Sequence, residues 1–244
     1  DADVGDTLTY TAQLAGGGAL PAWLSFDSAT RTFSGTPANG DVGSISIDVI
    51  ASDDTTTVTD TFDLVVVNVN DAPTLDNAIA DQNATEDAAF NFQFAANSFS
   101  DVDLGDVITY SAQLVGGGAL PSWLSFDPVT RTFSGTPANG DVGTISVQVI
   151  ATDIAGATAS DDFDIVIANT NDAPTVSNFI PDQNATEDSA FNFQFAANSF
   201  AKSDVRDTLT YSAELCGAGG LPDWLRIDSA TRTFSGTPAN GDVG

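Results

Sequence analysis

Apolar and polar residues alternate along this chain in short runs. In "SISIDVI" (44–50), Ile45, Ile47 and Val49 alternate with Ser44, Ser46 and Asp48, and "DLVVVNV" (63–69) is a second such run. A step of two is the period of a strand with one buried face. In the middle of the chain the same reading predicts strands around Ala89–Phe94, Val107–Gln113, Trp123–Phe126, Thr132–Ser134, Thr144–Ala151 and Asp162–Ala168. A seventh is expected near Thr175–Ile180 or its equivalent. No segment carries a helical period. Between the third and fourth of these strands, Asp127 and Pro128 suit the first two positions of a type I turn, so the pair reads as a hairpin. In "GGGALPSWLSF" the glycines interrupt the sheet, Pro121 excludes a helix interior, and Leu120 and Trp123 are expected in the core. The fold class is all-β.

The pattern repeats. "TRTFSGTPANGDVG" begins at Thr30, Thr130 and Thr231 and is identical each time. A period this long matches a whole β-sandwich domain and exceeds that of ordinary solenoid repeats. The one-residue difference between the two periods falls in a hairpin-like stretch near Ile154–Ser160, where a surface loop tolerates insertion. The polar, proline-containing "NVNDAPT" and "NTNDAPT" read as linkers, giving a complete repeat at 74–173 between an N-terminally truncated one at 1–73 and a C-terminally truncated one at 174–244. About seven strands are expected per complete repeat.

Charge narrows the function. The 244 residues carry 34 acidic and 6 basic side chains, a formal net charge of −28, which excludes a phosphate backbone as partner. No apolar run is long enough to form a transmembrane segment. Histidine is absent, which removes histidine-dependent triads and imidazole metal sites. The single cysteine, Cys216, stands where the other copies have Ala15 and Val115 and reads as a small apolar substitution. "NAT" at Asn83 and Asn184 fits a glycosylation sequon, to which no role is assigned.

Acidic residues concentrate in one place per repeat. "DVDLGD" sets Asp101, Asp103 and Asp106 at i, i+2 and i+5 of an irregular loop, and the chain opens on the same device with Asp1, Asp3 and Asp6. Carboxylates so spaced can converge on a point, where they repel unless a cation neutralises them. The donors are all oxygens, which favours Ca²⁺ over zinc or copper. The loop is not an EF-hand: Asp106 occupies the position that requires glycine, and Ala112 the position of the bidentate glutamate. A merely solvated acidic turn is the plain alternative. Further oxygens stand at Glu86 before a strand, at Asp153 after one, and at Asn171 and Asp172 in the linker.

"LPSWLSFDPVTRTFSGTP" and "VIANTNDAP" resemble the dystroglycan-type cadherin-like and immunoglobulin-like tandem repeats of bacterial surface or secreted proteins. That resemblance implies calcium at each junction, shared by an early glutamate of one domain, the linker, and the Asp-x-Asp loop of the next. By position, Asn70 and Asp71 would meet Asp101, Asp103, Asp106 and Asp153 at the first junction. Glu86, Asn171 and Asp172 would meet Asp204 and Asp207 at the second, and Asp53 would join Asp1, Asp3 and Asp6. At the second junction Lys202 replaces the counterpart of Asp101 and Arg206 that of Gly105. Weaker calcium binding and freer bending are expected there. The function implied is an extracellular or cell-surface adhesin segment, stiffened by calcium and binding a protein, a cell or a polysaccharide, with no enzymatic role. A passive spacer, or a carbohydrate-binding accessory array of a secreted polysaccharide-degrading enzyme, is the alternative.

Overall fold

The computed structural model describes residues 7–204, 207–217 and 219–243, in which the regular structure is strands and three short 3₁₀ turns. The central repeat builds two facing sheets. One has the order Thr109–Leu114, Gly143–Thr152, Thr158–Ala168, Gln82–Thr85; the other has the order Leu124–Asp127, Thr132–Gly135, Phe90–Gln93. A two-stranded ribbon, Thr74–Leu75 with Phe99–Ser100, closes the end where the chain enters.

Alternation decides which side chains fill the space between the sheets. Val147, Val149 and Ala151 of Gly143–Thr152 are buried, as are Phe163, Ile165 and Ile167 of Thr158–Ala168. The antiparallel register sets Val147 against Phe163. Phe133, fully buried from the second sheet, meets Phe163 edge-on at 5.5 Å and Phe126 at 4.6 Å. Burial of such a side chain is worth about 1.5–3 kcal/mol. Leu120 and Trp123 pack on this core, and Trp123 lies edge-on to Phe90 at 6.2 Å.

Six of the expected strands form close to their predicted places, with shifted ends. The second starts at Thr109 because the preceding residues belong to the acidic loop, and the sixth starts at Thr158 because every residue of Gly143–Thr152 finds a partner. The seventh shrinks to two residues, Thr175–Val176, matching Thr74–Leu75. Gln82–Thr85 was not expected as a strand. It lies parallel to Thr158–Ala168, and of its residues only Ala84 is fully buried.

The first repeat copies the register of the second: Tyr10 pairs with Ala51 as Tyr110 pairs with Ala151. The third keeps the sheet Phe191–Gln194, Thr233–Gly236, Leu225–Asp228. One glycine per repeat is fixed by close approach. A Cβ on Gly135 would lie 1.7 Å from the carbonyl oxygen of Trp123, and Gly35 and Gly236 face Trp23 and Trp224 in the same way.

Gly135→Ala is therefore expected to destabilise the central repeat by roughly 1–3 kcal/mol or more through overpacking against backbone. Gly140→Ala, where an added Cβ meets nothing within 4 Å, should change stability by no more than about 0.5 kcal/mol. Urea denaturation of the two variants measures the difference; equal midpoints would contradict the close-approach argument.

Candidate metal centre

Strand pairing delivers the acidic loop to its partners. Thr109 pairs with Thr152, so the loop before Thr109–Leu114 and the residue after Gly143–Thr152 emerge side by side at one edge of the sheet. The loop then folds on itself: the N–H of Asp103 donates to Oδ1 of Asp101 at 2.9 Å, the N–H of Asp106 donates to the carbonyl of Asp103 at 3.2 Å, and Gly105 takes a left-handed φ of 94°. Carboxylate oxygens of Asp101, Asp106 and Asp153 come within 4.8 Å of one another.

The linker completes the site. The Asn70 amide donates to Oδ2 of Asp153 at 2.8 Å, and the N–H of Asp71 donates to Oδ2 of Asp103 at 2.7 Å. Asp103 and Asp153 are each only 5% exposed. Oδ2 of Asp101, Oδ1 of Asp103 and Oδ2 of Asp106 are shielded from solvent and receive no hydrogen bond. Loss of solvation, reinforced by the charges of Asp101, Asp103 and Asp153, pushes the Asp106 carboxyl above its ordinary pKa. Asp153 moves the other way. The Asn70 amide holds its pKa below the usual range, opposed by burial and aided by the backbone of residues 155–157. Shielded anionic oxygens without donors are costly unless protonated or bound to a cation. The donor set here, oxygens alone, suits a hard ion such as calcium.

The second junction is built from the opposite end of the central repeat. The parallel strand Gln82–Thr85 runs beside Thr158–Ala168 to the chain exit, where Glu86 follows it and is 1% exposed. Its N–H donates to the carbonyl of Ala168, its Oε1 accepts the Thr170 N–H at 2.6 Å, and its Oε2 is shielded with no donor. The N–H of Asp172 donates to Oδ2 of Asp204 at 2.7 Å, and Oδ1 of this 3% exposed Asp204 is also shielded and donorless. Asn171, Asp207 and Lys202 are exposed, and Lys202 and Asp207 line one surface cavity. Arg206 lies outside the described residues.

Asp53 behaves differently from its counterpart Asp153. Its carboxylate accepts the N–H and hydroxyl groups of both Thr55 and Thr56 at 2.6–2.9 Å, which hold its pKa far below the usual carboxylate range. Asp1, Asp3 and Asp6 lie outside the described residues. Two groups that sequence reasoning passed over are Asn39 and Asn139, whose amides donate to Asp71 and Asp172, each at 2.6 Å. The recurrence of "ANGD" in every copy was the available signal.

Comparison with known proteins places the chain in a family. A family model described as "Putative Ig domain" matches residues 1–67, 72–168 and 173–244. The chain is 28% identical to "Axial budding pattern protein 2" of Saccharomyces cerevisiae over 246 residues, covering 87% of the chain and 29% of that protein. It is 31% identical to "Serine-rich adhesin for platelets" of Staphylococcus aureus over 160 residues, covering 65% of the chain and 6% of that protein. The chain thus spans less than a third of the length of either relative. Among solved structures, mouse cadherin-23 EC22-24 superposes with a TM-score of 0.61 at 21% identity, covering 98% of the chain and 78% of that structure. The fold is that of tandem immunoglobulin-like, cadherin-like β-sandwiches, and with nearly its whole length matched in three successive stretches, the chain belongs to the Putative Ig domain family.

Proposed function

We propose that the chain is an extracellular adhesive repeat segment whose junctions are stiffened by calcium. The observation that carries this reading is the group of shielded, donorless carboxylate oxygens of Asp101, Asp103 and Asp106 beside Asp153, at the seam with the preceding linker. Asp101, Asp103, Asp106, Asp153, Asn70 and Asp71 would hold the ion at the first junction. Glu86, Asn171, Asp172, Asp204 and Asp207 would hold it at the second, and Asp53 with Asp1, Asp3 and Asp6 at the start of the chain. The units joined are 1–73, 74–173 and 174–244. Calcium supplies positive charge and a shared centre for oxygens from two repeats and a linker. It acts as a strut and takes part in no reaction. Similarity to a platelet adhesin supports adhesion as the purpose of the stiffened array, with a protein, cell surface or polysaccharide as partner. Among the described residues no helix is long and apolar enough to cross a membrane.

Calcium titration by calorimetry, paired with thermal melts, tests the strut. Extracellular modules commonly bind with Kd about 10⁻⁴–10⁻³ M, and ligand at about 100 times Kd stabilises by roughly 2.7 kcal/mol. A melt unchanged between chelator and saturating calcium rejects the reading. Adhesion is tested separately by binding of the calcium-loaded chain to glycan arrays and to cell-surface proteins, since a passive spacer would bind calcium alone.

Asp106→Asn should act with opposite signs in the two states. A raised folded-state pKa means that this group's contribution to folding is present at low pH and is lost as pH rises through that pKa. At pH 7 without calcium, neutralising Asp106 should therefore raise the melting temperature. With calcium, the same variant loses a ligand and should bind on the order of tenfold more weakly, the scale on which ligand charge tunes such sites. Destabilisation in chelator would contradict the repulsion argument.

Lys202→Asp restores a carboxylate beside Asp204 at the second junction. Its calcium affinity there should rise by about tenfold, for the same reason. An isotherm that superimposes on that of the parent chain would show that Lys202 is electrostatically silent.

A further inference from the structure

Each linker aspartate is gripped from both sides. Asp172 accepts the Asn139 amide on Oδ2 at 2.6 Å, and Asn139 belongs to the repeat that precedes the linker. The backbone N–H of the same Asp172 donates to Oδ2 of Asp204 at 2.7 Å, in the repeat that follows. The first junction repeats the arrangement with the same two distances: Asn39 to the Asp71 carboxylate, and the Asp71 N–H to Asp103. One residue thus carries a side-chain bond to one repeat and a backbone bond to the next.

The asparagine is well placed to hold. It opens a 3₁₀ turn, Asn39–Asp41 or Asn139–Asp141, closed by the N–H of Asp41 or Asp141 donating to the carbonyl of Ala38 or Ala138 at 2.8 Å. The N–H of that alanine donates back to Oδ2 of the turn aspartate at 2.9 Å. Immediately after the second of these turns comes Gly143–Thr152, whose Val147 and Val149 are fully buried. The asparagine therefore lies four residues before a strand anchored in the core of its own repeat. An uncharged donor is what the place requires, because a carboxylate there would confront the linker carboxylate and an alanine would leave it without a partner.

We propose that Asn39 and Asn139 are positioning residues that fix the orientation of successive repeats without any cation, acting through Asp71 and Asp172. The grip uses Oδ2 of Asp172 and Oδ2 of Asp204, and leaves the shielded Oδ1 of Asp204 free of donors. It therefore leaves that atom, like Oε2 of Glu86, available to a cation. The array keeps its direction in calcium-poor surroundings, and calcium tightens a geometry already set.

Distance measurement between nitroxide labels decides this on the full chain, in chelator, so that the outcome is independent of whether calcium binds. Native Cys216, which is exposed, carries one label, and Val129→Cys, at a position 84% exposed, carries the other across the second junction. With Asn139 in place, a single narrow distance distribution is expected. Asn139→Ala and Asn139→Asp should each broaden it by roughly twofold or more, as a held geometry becomes an ensemble. Asn39→Ala, at the other junction, should leave it narrow. Circular dichroism and the urea midpoint should be unchanged throughout, which separates loss of the grip from loss of folding. The proposal is overturned by a broad distribution with Asn139 present, by an Asn139→Ala distribution as narrow as the parent's, or by equal broadening from Asn39→Ala.

Discussion

Negative charge withdrawn from water at the seams between repeats is the constraint that the rest of the structure serves. Four aspartates meet where two paired strands end, and three of their oxygens have neither solvent nor a donor. Sheet pairing creates this crowding and does not relieve it. The register that sets Thr109 against Thr152 carries Asp106 and Asp153 to the same edge, and the packing of Val147, Val149 and Phe163 behind them keeps the strands from drifting apart. The relief available in the chain is partial. Asn70 satisfies one oxygen of Asp153, and the backbone of Asp71 satisfies one oxygen of Asp103. Both groups come from the linker, so the electrostatics of one repeat depend on where the preceding one sits.

Much of the fold could be read from period alone, because antiparallel strands joined by turns leave local marks. Thr144–Ala151 and Asp162–Ala168 alternate clearly, and Asp127 accepts the Val129 and Thr130 N–H groups as its turn chemistry implies. Gln82–Thr85 left no such mark. Its partner Thr158–Ala168 lies some eighty residues away and runs parallel, so no turn announces the pairing, and a strand with one buried apolar residue shows no alternation. The candidate site divides along the same line. Asp101, Asp103 and Asp106 betray themselves by spacing within one loop. The grip of Asn139 on Asp172 spans 33 residues and depends on the path of two strands, and Glu86 showed in the sequence only as an oxygen donor before a strand, its place at a junction being implied by the family resemblance.

Identity of sequence did not guarantee identity of environment. Phe62 and Phe163 occupy equivalent positions, yet Phe62 is 38% exposed and Phe163 2% exposed, because Phe163 packs against Phe92 of Phe90–Gln93. Asp53 and Asp153 diverge for a more local reason. "DDTTT" gives Asp53 two threonines whose N–H and hydroxyl groups saturate it, whereas "DIAGA" gives Asp153 backbone donors alone and leaves it to recruit the Asn70 amide. The one-residue difference between the repeats falls in this loop, so the same change that alters its length also alters how firmly the aspartate is engaged by its own repeat.

Near-identical repeats in tandem carry a hazard, since a strand of one copy fits the sheet of another, and exposed strand edges invite such exchange. Thr57–Val66 presents Val58 and Val65 to solvent, and Asp60 and Asp63 lie on the same strand, also exposed. In the central repeat, Gln82–Thr85 covers the matching edge, and Asp81 just before it accepts the N–H of Asp164 at 2.8 Å. Acidic charge therefore does different work in different places. On strand edges it is solvated, repels other copies and needs no partner. In the junction loops it is shielded and cannot remain uncompensated. A net charge of −28 is a single number for these two populations, and only the second carries a desolvation cost that protonation or a cation would relieve.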